Sequence, residues 1–560
     1  MPTVNLSKKV LEKLVGKKLS LDMLKDRISM LGTDLEHIKD DEIKVEVFPN
    51  RPDMLSEQGF ARAFSSFIGV KTGLREYKVK KSGHHIIVDN SVTMRPYTAC
   101  AIVKNLTMTD ERIREIMQMQ EKLATTHGRG RKKSCYGIYP VDKVHFPITY
   151  TAKDPATLSF TPLGFDQKIK ASEIVETHPT GPKYAHISQD WKKYPFYIDA
   201  HHNVMSMLPF TNSNDTGRVE LDTKNIFIEC TGTEQHNVEL ALHMFCAMFS
   251  DMGGDIYSLE IRYPDNTLTT PRMDATPMDF DLKYINRILG LSLSEKEATT
   301  LLKKMGYGYK KGKVLVPAYR ADILGQIDFA EDIAIAYGYE HFTEELPQVA
   351  TIGKESPQAI LERTIAHVLT GLGMLELQTY HLSNTALQTS DMSVNTTKTN
   401  QDAKKKTKSA VIELANSVSE DYHCLRSWML PGLIEVLSHN KHHEYPQKLF
   451  DMGKVFKKGK TETGVEEDTH LGLIISHDKA DYTDIRQVID YLTTALNKEI
   501  TIEETTHPSF VPGRCAQGIH KGKVIATFGE LHPEILARFK LELPVAAGEI
   551  DLSAFQTISQ

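Results

Sequence analysis

The pattern of apolar and polar residues changes every few positions along the chain, which predicts many short helices and strands. Alternation over residues 43–48 predicts a strand, and the Pro-Asn-Arg-Pro-Asp run at 49–53 predicts a rigid turn after it, because two prolines exclude a helix there. Serines that can cap a helix precede three helical patterns: Ser7, Ser20 and Ser56. A compact N-terminal domain over residues 1–84 is expected.

The next two segments differ in their pattern. Over residues 85–265, short apolar strand runs alternate with helical stretches, including a strongly apolar helix at 239–252, without regular strand–helix–strand repetition. Over residues 268–344 the order is a helix at about 279–289, a helix opened by the capping box at 294–297, a hairpin, and a last helix at about 327–337. This order resembles a winged-helix module.

The C-terminal part, residues 345–560, contains apolar runs such as 471–475 and 523–528 that suit an antiparallel sheet. Residues 388–409 are rich in Thr, Ser, Asn, Asp and Lys, which predicts a solvated insertion. Together these patterns predict an α+β multidomain protein. At about 150 residues per domain, a chain of 560 residues has room for three or four domains.

Composition narrows the possible functions. Lys and Arg number 67 and Asp and Glu 73, so the net charge is −6 and a uniformly basic nucleic-acid coat is excluded. No apolar run is long enough for a membrane span, and the N-terminus lacks a signal-peptide pattern, so a cytoplasmic location with no membrane contact is expected. The six cysteines form no C-x-x-C pair and predict reduced thiols.

An acidic helix start is the first candidate site. On the helix at 327–337, Asp328, Glu331 and Asp332 are spaced to share one face, while Ile327 and neighbouring apolar residues face the core. Asp322 precedes the helix. Four carboxylates suit a hard cation such as Mg²⁺. The alternative is a solvated acidic first turn favoured by the helix dipole.

Two polar loops are further candidates. The run 127–133, His-Gly-Arg-Gly-Arg-Lys-Lys, combines cations with flexible glycines and can hold phosphates, although a solvated surface loop is the alternative. The run 208–218 and the strand after it carry Asn, Ser, Thr and Glu side chains that can bind a small polar ligand, or form an ordinary turn. P-loop, G-x-S-x-G and G-x-G-x-x-G patterns are missing from the sequence.

Several segments, spread in order over nearly the whole length, form one recognisable set. They lie at 49–56 with 61–62, 127–139, 222–229, 331–338, 425–433, 438–441, 508–514 and 529–534. Each segment is weak evidence alone, but in this order they resemble one family, the β subunits of phenylalanyl-tRNA synthetase of the archaeal and eukaryotic type.

The resemblance implies a division of labour between subunits. The α subunit binds ATP and phenylalanine and charges tRNA(Phe), in an (αβ)₂ heterotetramer. The β subunit carries a class II synthetase-like domain without that chemistry, here residues 345–560. The nearest match to a phosphate-binding Gly-x-Gly-x-x-Arg, at 371–376, ends in Glu376, which repels phosphate. Residues 85–265 correspond to a tRNA-editing domain, and residues 268–344 to the winged-helix-like metal-binding module.

The resemblance also implies functional residues. Editing hydrolyses tyrosine wrongly attached to tRNA(Phe), which is needed because an apolar pocket discriminates poorly against an added hydroxyl group. The expected sets are an editing pocket near Asn212, Asn214, Glu229 and Thr231, a Mg²⁺ site shared with the α subunit at Asp322, Asp328, Glu331 and Asp332, and tRNA contacts at Arg129, Arg131, Lys132 and Lys133. Relatives often have His-Pro where this chain has Gly325-Gln326, and residues 210–214 also depart from the usual apolar run.

Two other functions are compatible with the sequence. One is a free-standing winged-helix protein that binds nucleic acid. The other is a stand-alone aminoacyl-tRNA deacylase. Dependence on an α subunit separates both from a synthetase subunit.

Overall fold

The structure, a computed structural model, describes residues 2–347, 352–393 and 411–555. The chain divides into two compact units, Met1–Leu346 and Pro347–Gln560. Both units combine helices with several sheets, which confirms the predicted multidomain α+β class. Most of the low-complexity segment predicted at 388–409 lies outside the described residues. Its first residues are not solvated as predicted, because Gln388 ends a helix and Met392 is fully buried.

Residues 2–78 contain a three-stranded sheet and three α-helices. The elements are β1 (Thr3–Ser7), α1 (Lys8–Val15), α2 (Leu21–Met30), β2 (Asp34–Lys39), β3 (Glu42–Glu46) and α3 (Glu57–Phe67). The Oγ atoms of Ser7, Ser20 and Ser56 each accept a hydrogen bond from the backbone N–H three residues on, so the three predicted caps are confirmed. Strands β1 and β2 were not predicted. Strand β2 lacks a sequence signal because it is mostly exposed and its charged sequence does not alternate clearly.

A ten-stranded mixed sheet forms the centre of the first unit. Its segment contains β4 (Val79–Val88), β5 (Tyr97–Lys104), α4 (Asp110–Thr125), β6 (Ser134–Pro140), β7 (Ile148–Lys153), β8 (Ser159–Phe160), β9 (Ile169–Lys170), α5 (Ala171–Thr177), α6 (Thr180–Tyr184), β10 (Tyr194–Ile198), β11 (Val204–Met207), β12 (Thr211–Asn212), α7 (Asn214–Gly217), β13 (Ile226–Gly232), α8 (Gln235–Asp251), β14 (Asp255–Arg262) and β15 (Thr267–Thr270). The strand order is β12-β11-β10-β7-β4-β14-β5-β13-β6, and β15 pairs with β14. Strand β4 runs parallel to both of its neighbours.

The last segment of the first unit contains the predicted sequence of helices and hairpin. It consists of β16 (Thr276–Asp279), α9 (Leu282–Leu289), α10 (Glu295–Lys304), β17 (Gly308–Lys310), β18 (Lys313–Val316) and α11 (Gln326–Tyr337). Ser294 and Glu297 form the predicted capping box, in which each side chain accepts the other's backbone N–H. Asp279 lies at the end of a strand rather than in the predicted helix, because β16 adds a third strand to the hairpin.

The second unit is built on a seven-stranded sheet. Its elements are α12 (Pro357–Gly371), β19 (Leu375–Leu377), β20 (Leu382–Ser383), α13 (Thr385–Gln388), β21 (Ile412–Glu413), β22 (Cys424–Leu425), α14 (Leu430–His439), β23 (Gln447–Lys458), β24 (Val465–Ser476), α15 (Tyr482–Ala495), β25 (Thr501–Glu504), β26 (Phe510–His520), β27 (Lys523–Leu531), α16 (Pro533–Arg538) and β28 (Val545–Asp551). The order is β19-β23-β24-β28-β27-β26-β25, antiparallel except for the β19–β23 pair. Alternate residues of β24 pack on α15 and on α14, so helices cover both faces.

Two simple expectations are met. All six cysteines are buried and free of disulfide bonds. Among the helices that the structure describes, none has the length and apolar character needed to cross a membrane.

Two glutamates meet where α4 packs beside the start of α3. Oε1 of Glu115 accepts the backbone N–H of Glu57 at 2.7 Å, and Oε1 of Glu57 accepts that of Ser7 at 2.6 Å. Burial, with a contribution from the Glu57 charge, raises the pKa of Glu115 to about 7. Burial also raises the pKa of Glu57.

This pair makes the stability of the first unit depend on pH. Because the pKa of Glu115 is higher in the folded chain than in the unfolded chain, the folded state binds the proton more tightly and loses stability as pH rises from about 4.5 to about 7. In the variant Glu115→Gln, we expect thermal unfolding midpoints to decline less between pH 5 and pH 7. Glu111→Gln, on the exposed side of the same helix, serves as the control. In this variant the midpoint should fall with pH as steeply as in the wild type. If the midpoint falls equally steeply with pH in wild type and in Glu115→Gln, the raised pKa of Glu115 is not the cause of the pH dependence.

Candidate functional site

A cavity of about 810 Å³ lies in the first unit beside α4. Its walls come from α4, the loop at 127–133, the segment 208–219 and the region around α6. Polar groups line it at Arg131, His178, Thr180, Asn212 and Asn214. We refer to this space as the first-unit cavity. Its size is within the range of cavities that hold small ligands.

The four residues predicted for an editing pocket lie close to this cavity at two depths. Asn212 and Asn214 line it, whereas Glu229 and Thr231 lie on β13 and are fully buried behind the lining. Tyr139, on the neighbouring strand β6, connects the two layers. Its Oη lies 3.1 Å from Oδ1 of Asn212 and 3.3 Å from Oε1 of Glu229.

The carboxyl group of Glu229 is held in an unusual state. Burial raises its pKa to about 8, so the group is predominantly protonated at neutral pH. The Tyr139 hydroxyl has one proton for two acceptors. A protonated Glu229 resolves this, because it donates to Tyr139 Oη while Tyr139 donates to Oδ1 of Asn212. Gly137 leaves room for the chain of bonds, since a Cβ there would lie 2.5 Å from both Glu229 Oε1 and Tyr139 Oη.

The basic loop at 127–133 is divided between internal contacts and solvent. The Arg131 guanidinium donates to the carbonyl oxygens of Pro209 and Phe210, both at 2.9 Å, and lies 4.4 Å from the ring centre of Tyr184. Arg131 therefore ties the loop across the first-unit cavity. Lys133 pairs with Glu234 at 3.0 Å, while Arg129 and Lys132 are exposed. Of the four predicted tRNA contacts, these two exposed cations can reach a phosphate most directly.

Arg95 is an important residue that sequence reasoning missed. It is completely buried, and its guanidinium donates to the carbonyl oxygens of Arg131 and Thr231, each at 3.0 Å. It thus holds the basic loop against β13, beside Glu229. In the sequence, Arg95 is a single arginine in a loop between strands, and no charged residue lies at a spacing that would indicate an ion-pair partner. Its role depends on contacts with residues far along the chain.

Arg320 organises part of the acidic region near α11. Its side chain is only 1% exposed. It donates to both oxygens of Asp322, at 2.7 and 2.9 Å, and to Oδ2 of Asp332 at 2.8 Å. Tyr307 also donates to Asp332. Burial opposes the arginine's charge, yet the two carboxylates raise its pKa well above the usual value. A guanidinium, rather than a metal ion, therefore neutralises these two aspartates in the chain by itself.

The other two acidic residues point elsewhere. Oδ2 of Asp328 accepts the backbone N–H groups of Leu324 and Gly325, at 2.7 and 2.8 Å, so Asp328 caps the helix start. Glu331 is exposed. The face prediction is wrong on two points: Asp332 is buried, because it pairs with Arg320, and Ile327 is 53% exposed rather than in the core.

These positions do not fit a ready magnesium site. Among the residues that the structure describes, no group of three or more His, Cys, Asp or Glu side chains is arranged to hold a metal ion. Asp322 and Asp332 already share the charge of Arg320, and Asp328 serves the backbone. Magnesium at these four residues remains a prediction.

Comparisons with known proteins identify the class of chain to which these sites belong. The model described as the tRNA synthetase B5 domain matches residues 278–339, and the model described as the phenylalanyl tRNA synthetase beta chain CLM domain matches residues 343–552. The two matches define the chain as a component of an aminoacyl-tRNA synthetase.

Full-length relatives identify the family. A phenylalanine–tRNA ligase beta subunit of Archaeoglobus fulgidus is 38% identical, with 99% of each chain covered, and one of Thermococcus gammatolerans is 35% identical over 100% of this chain and 99% of its own length. The chain belongs to the family of phenylalanine–tRNA ligase beta subunits. An N-terminal fragment of the phenylalanyl-tRNA synthetase beta subunit of Pyrococcus horikoshii is 36% identical, with a TM-score of 0.58, over 60% of this chain and 99% of the fragment.

Proposed function

We propose that this chain works with an α subunit in an (αβ)₂ phenylalanine–tRNA ligase, in the cytoplasm. In this proposal α binds ATP and phenylalanine and charges tRNA(Phe), while the present chain contributes tRNA binding, proofreading and a class II synthetase-like partner domain. The observation that carries the proposal is the match to beta subunits over 99% of both lengths. Co-expression with the cognate α subunit tests it. A 1:1 complex that charges tRNA(Phe) is expected, and a chain that stays monomeric and indifferent to α would overturn it.

We propose the first-unit cavity as the proofreading site for tyrosine attached to tRNA(Phe). A tyrosyl group differs from a phenylalanyl group by one hydroxyl, and a site with matched polar partners recognises such a group far better than an apolar one. Asn212 and Asn214 supply amide donors and acceptors in the lining, and Thr180 supplies a hydroxyl. Glu229 and Tyr139 hold Asn212 from behind, so they are positioning residues. Positioned polar groups of this kind can orient the attacking water.

Release of tyrosine from Tyr-tRNA(Phe) measures this activity directly. With the assembled ligase, hydrolysis of Tyr-tRNA(Phe) should be much faster than that of Phe-tRNA(Phe). Equal rates, or no hydrolysis with α present, would contradict proofreading without affecting the assignment to the family. The same assay on the isolated chain tests the alternative of a stand-alone deacylase.

The basic loop provides a prediction for RNA binding. Because Arg129 and Lys132 are exposed, we expect alanine at either position to weaken tRNA binding and to lower the magnitude of the salt dependence, the slope of log K against log[salt], by about 1 each. Lys17→Ala, an exposed lysine elsewhere in the first unit, is the control and should leave the slope unchanged. Filter binding across salt concentrations gives both values. Unchanged slopes in both loop variants would exclude phosphate contact by this loop.

We propose that any magnesium site at α11 is completed by the α subunit. In the isolated chain, Glu331 is the exposed carboxylate of the set, and Asp328 is already committed at one oxygen. A divalent cation prefers six or more oxygen ligands, so further donors must come from a partner or from water. Magnesium titration of the isolated chain and of the complex, followed by calorimetry, distinguishes the two states. Binding of equal affinity in both would contradict a shared site.

A further inference from the structure

A second cavity, of about 350 Å³, opens on the seven-stranded sheet. All its lining residues lie between Ser427 and Asp551, so it belongs to the second unit alone. Strands β24, β27 and β28 form its floor, and the segment before α14 forms one wall. We refer to it as the second-unit cavity. None of the residues predicted for editing, magnesium or tRNA binding contributes to it.

The floor carries a built set of polar groups. Nδ1 of His470 lies 2.6 Å from Oε1 of Glu549, whose other oxygen accepts the backbone N–H groups of Met429 and Leu430 at the start of α14. Asp551 lies beside them. One of its oxygens lies 3.0 Å from Nζ of Lys523, and the other lies 4.0 Å from Nε2 of His470. The carboxylates therefore have fixed positions.

Nε2 of His470 is the atom that these contacts leave open. The residue is only 9% exposed, and this nitrogen has no hydrogen-bond partner among the described residues. Since Nδ1 faces the Glu549 carboxylate, Nε2 is the ring nitrogen that lies on the other side, beside the lining of the cavity. A buried polar atom without a partner is costly, so the site is suited to a ligand that supplies a polar group there.

Part of the lining is aromatic. The ring centres of Trp428 and His507 lie 5.7 Å apart, and those of His507 and Phe510 lie 5.5 Å apart. Burial lowers the pKa of His507, so this ring adds no positive charge near neutral pH. The cavity thus combines a wall of mutually inclined aromatic rings with a floor that carries carboxylates.

The charges around the cavity favour a cation. Asp468, Glu549 and Asp551 are in the lining, against Lys457 and Lys523. The two lysine side chains are 51% and 66% exposed, so they are at the rim and screened by water. Glu549 and Asp551 lie deeper and act over a shorter distance in a less polar medium. An anion would be opposed by the floor.

We propose that the second-unit cavity binds a small organic cation, a protonated amine carried on a flat ring. In this arrangement the ammonium group donates to the Asp551 carboxylate beside His470, and the ring packs against Trp428. Aromatic faces attract cations, which adds to the charge preference. The site is distinct from the proposed proofreading cavity. The proposal does not depend on the assignment of the chain to its family.

Benzylamine is a suitable probe, with benzyl alcohol and benzoate as the neutral and anionic compounds of matched shape. The chain has two tryptophans, so Trp191→Phe leaves Trp428 as the sole tryptophan reporter of binding in the full-length protein. We expect saturable quenching of Trp428 fluorescence by benzylamine with a Kd on the order of 1 mM, and at least tenfold weaker binding of the other two compounds.

Variants locate the response within the cavity. Asp551→Asn should weaken benzylamine binding at least fivefold and reduce its preference over benzyl alcohol. Thr527→Leu, which fills lining space, should reduce binding of all three compounds. Asp478→Asn, with a side chain 79% exposed outside the lining, is the matched control and should change nothing. Circular dichroism verifies that each variant is folded. Equal or tighter binding of benzoate, no saturable quenching, or wild-type binding in both cavity variants would overturn the proposal.

Discussion

Replacing Arg320 with methionine is expected to lower the free energy of unfolding of the first unit by about 3–5 kcal/mol. The guanidinium lies between Asp322 and Asp332, with its side chain 1% exposed. Methionine fills similar space but carries no charge, so two carboxylates in a poorly solvated region lose their shared partner. Tyr307 can serve only Asp332. The cost is that of leaving buried charge unpaired, which is much larger than the value of a surface ion pair.

The measurement can be confined to one unit. In a Trp428→Phe background, Trp191 is the remaining tryptophan and reports urea unfolding of the first unit. Arg262→Met is the matched control, because Arg262 pairs with Glu260 at 2.8 Å but is 49% exposed, and its loss should cost less than about 1 kcal/mol. Arg320→Lys retains charge but lacks the fork that contacts both aspartates, so an intermediate loss is expected. A loss in Arg320→Met no larger than in the control would show that the pairing is not structural.

Tyr139→Phe is expected to reduce hydrolysis of Tyr-tRNA(Phe) on the order of tenfold while leaving phenylalanine charging unchanged. The hydroxyl is the link between Asn212 in the cavity lining and the buried Glu229. Removing it leaves the buried Glu229 carboxyl group and the half-buried Asn212 amide without that partner, at a cost of about 1–3 kcal/mol, and about 1.4 kcal/mol corresponds to tenfold in rate. Because the ring remains, the packing against Phe227 is retained.

The kinetic pattern separates positioning from loss of fold. Tyr97→Phe, a 38% exposed tyrosine of the same sheet, is the control and should hydrolyse Tyr-tRNA(Phe) at the wild-type rate. A second readout is the pH profile. Since burial raises the pKa of Glu229 to about 8, the wild-type rate should change near that pH, and the change should be absent in Glu229→Gln. Wild-type hydrolysis by Tyr139→Phe would remove this network from the proposed mechanism.

Local structure was predictable where the physical cause is local. The caps at Ser7, Ser20 and Ser56 follow from side chains that reach amides three residues away, and the box at Ser294 and Glu297 has the same basis. The apolar helix at 239–252 is recognisable because α8 is buried over most of its surface. Strands such as β2 escaped prediction because an exposed edge strand needs little apolar alternation.

The candidate sites were predictable only as groups of residue types. The sequence placed Asn212 and Glu229 in one region, but not at two depths joined by Tyr139. It placed four carboxylates around α11, but not Arg320 between two of them. Arg95 and the second-unit cavity had no signal, because their partners lie on strands and loops distant in the sequence.

The sequence by itself determined the family, the α+β class, most helix starts and the local character of the basic and acidic segments, since each depends on residue order or on neighbours within about four positions. The tertiary structure decided which charges are available to a ligand. Arg131 and Lys133 turn to internal partners, Asp332 is neutralised by Arg320, and Glu229 is protonated. Burial and long-range pairing set the charge state and direction of a side chain, and both arise only when distant segments pack together.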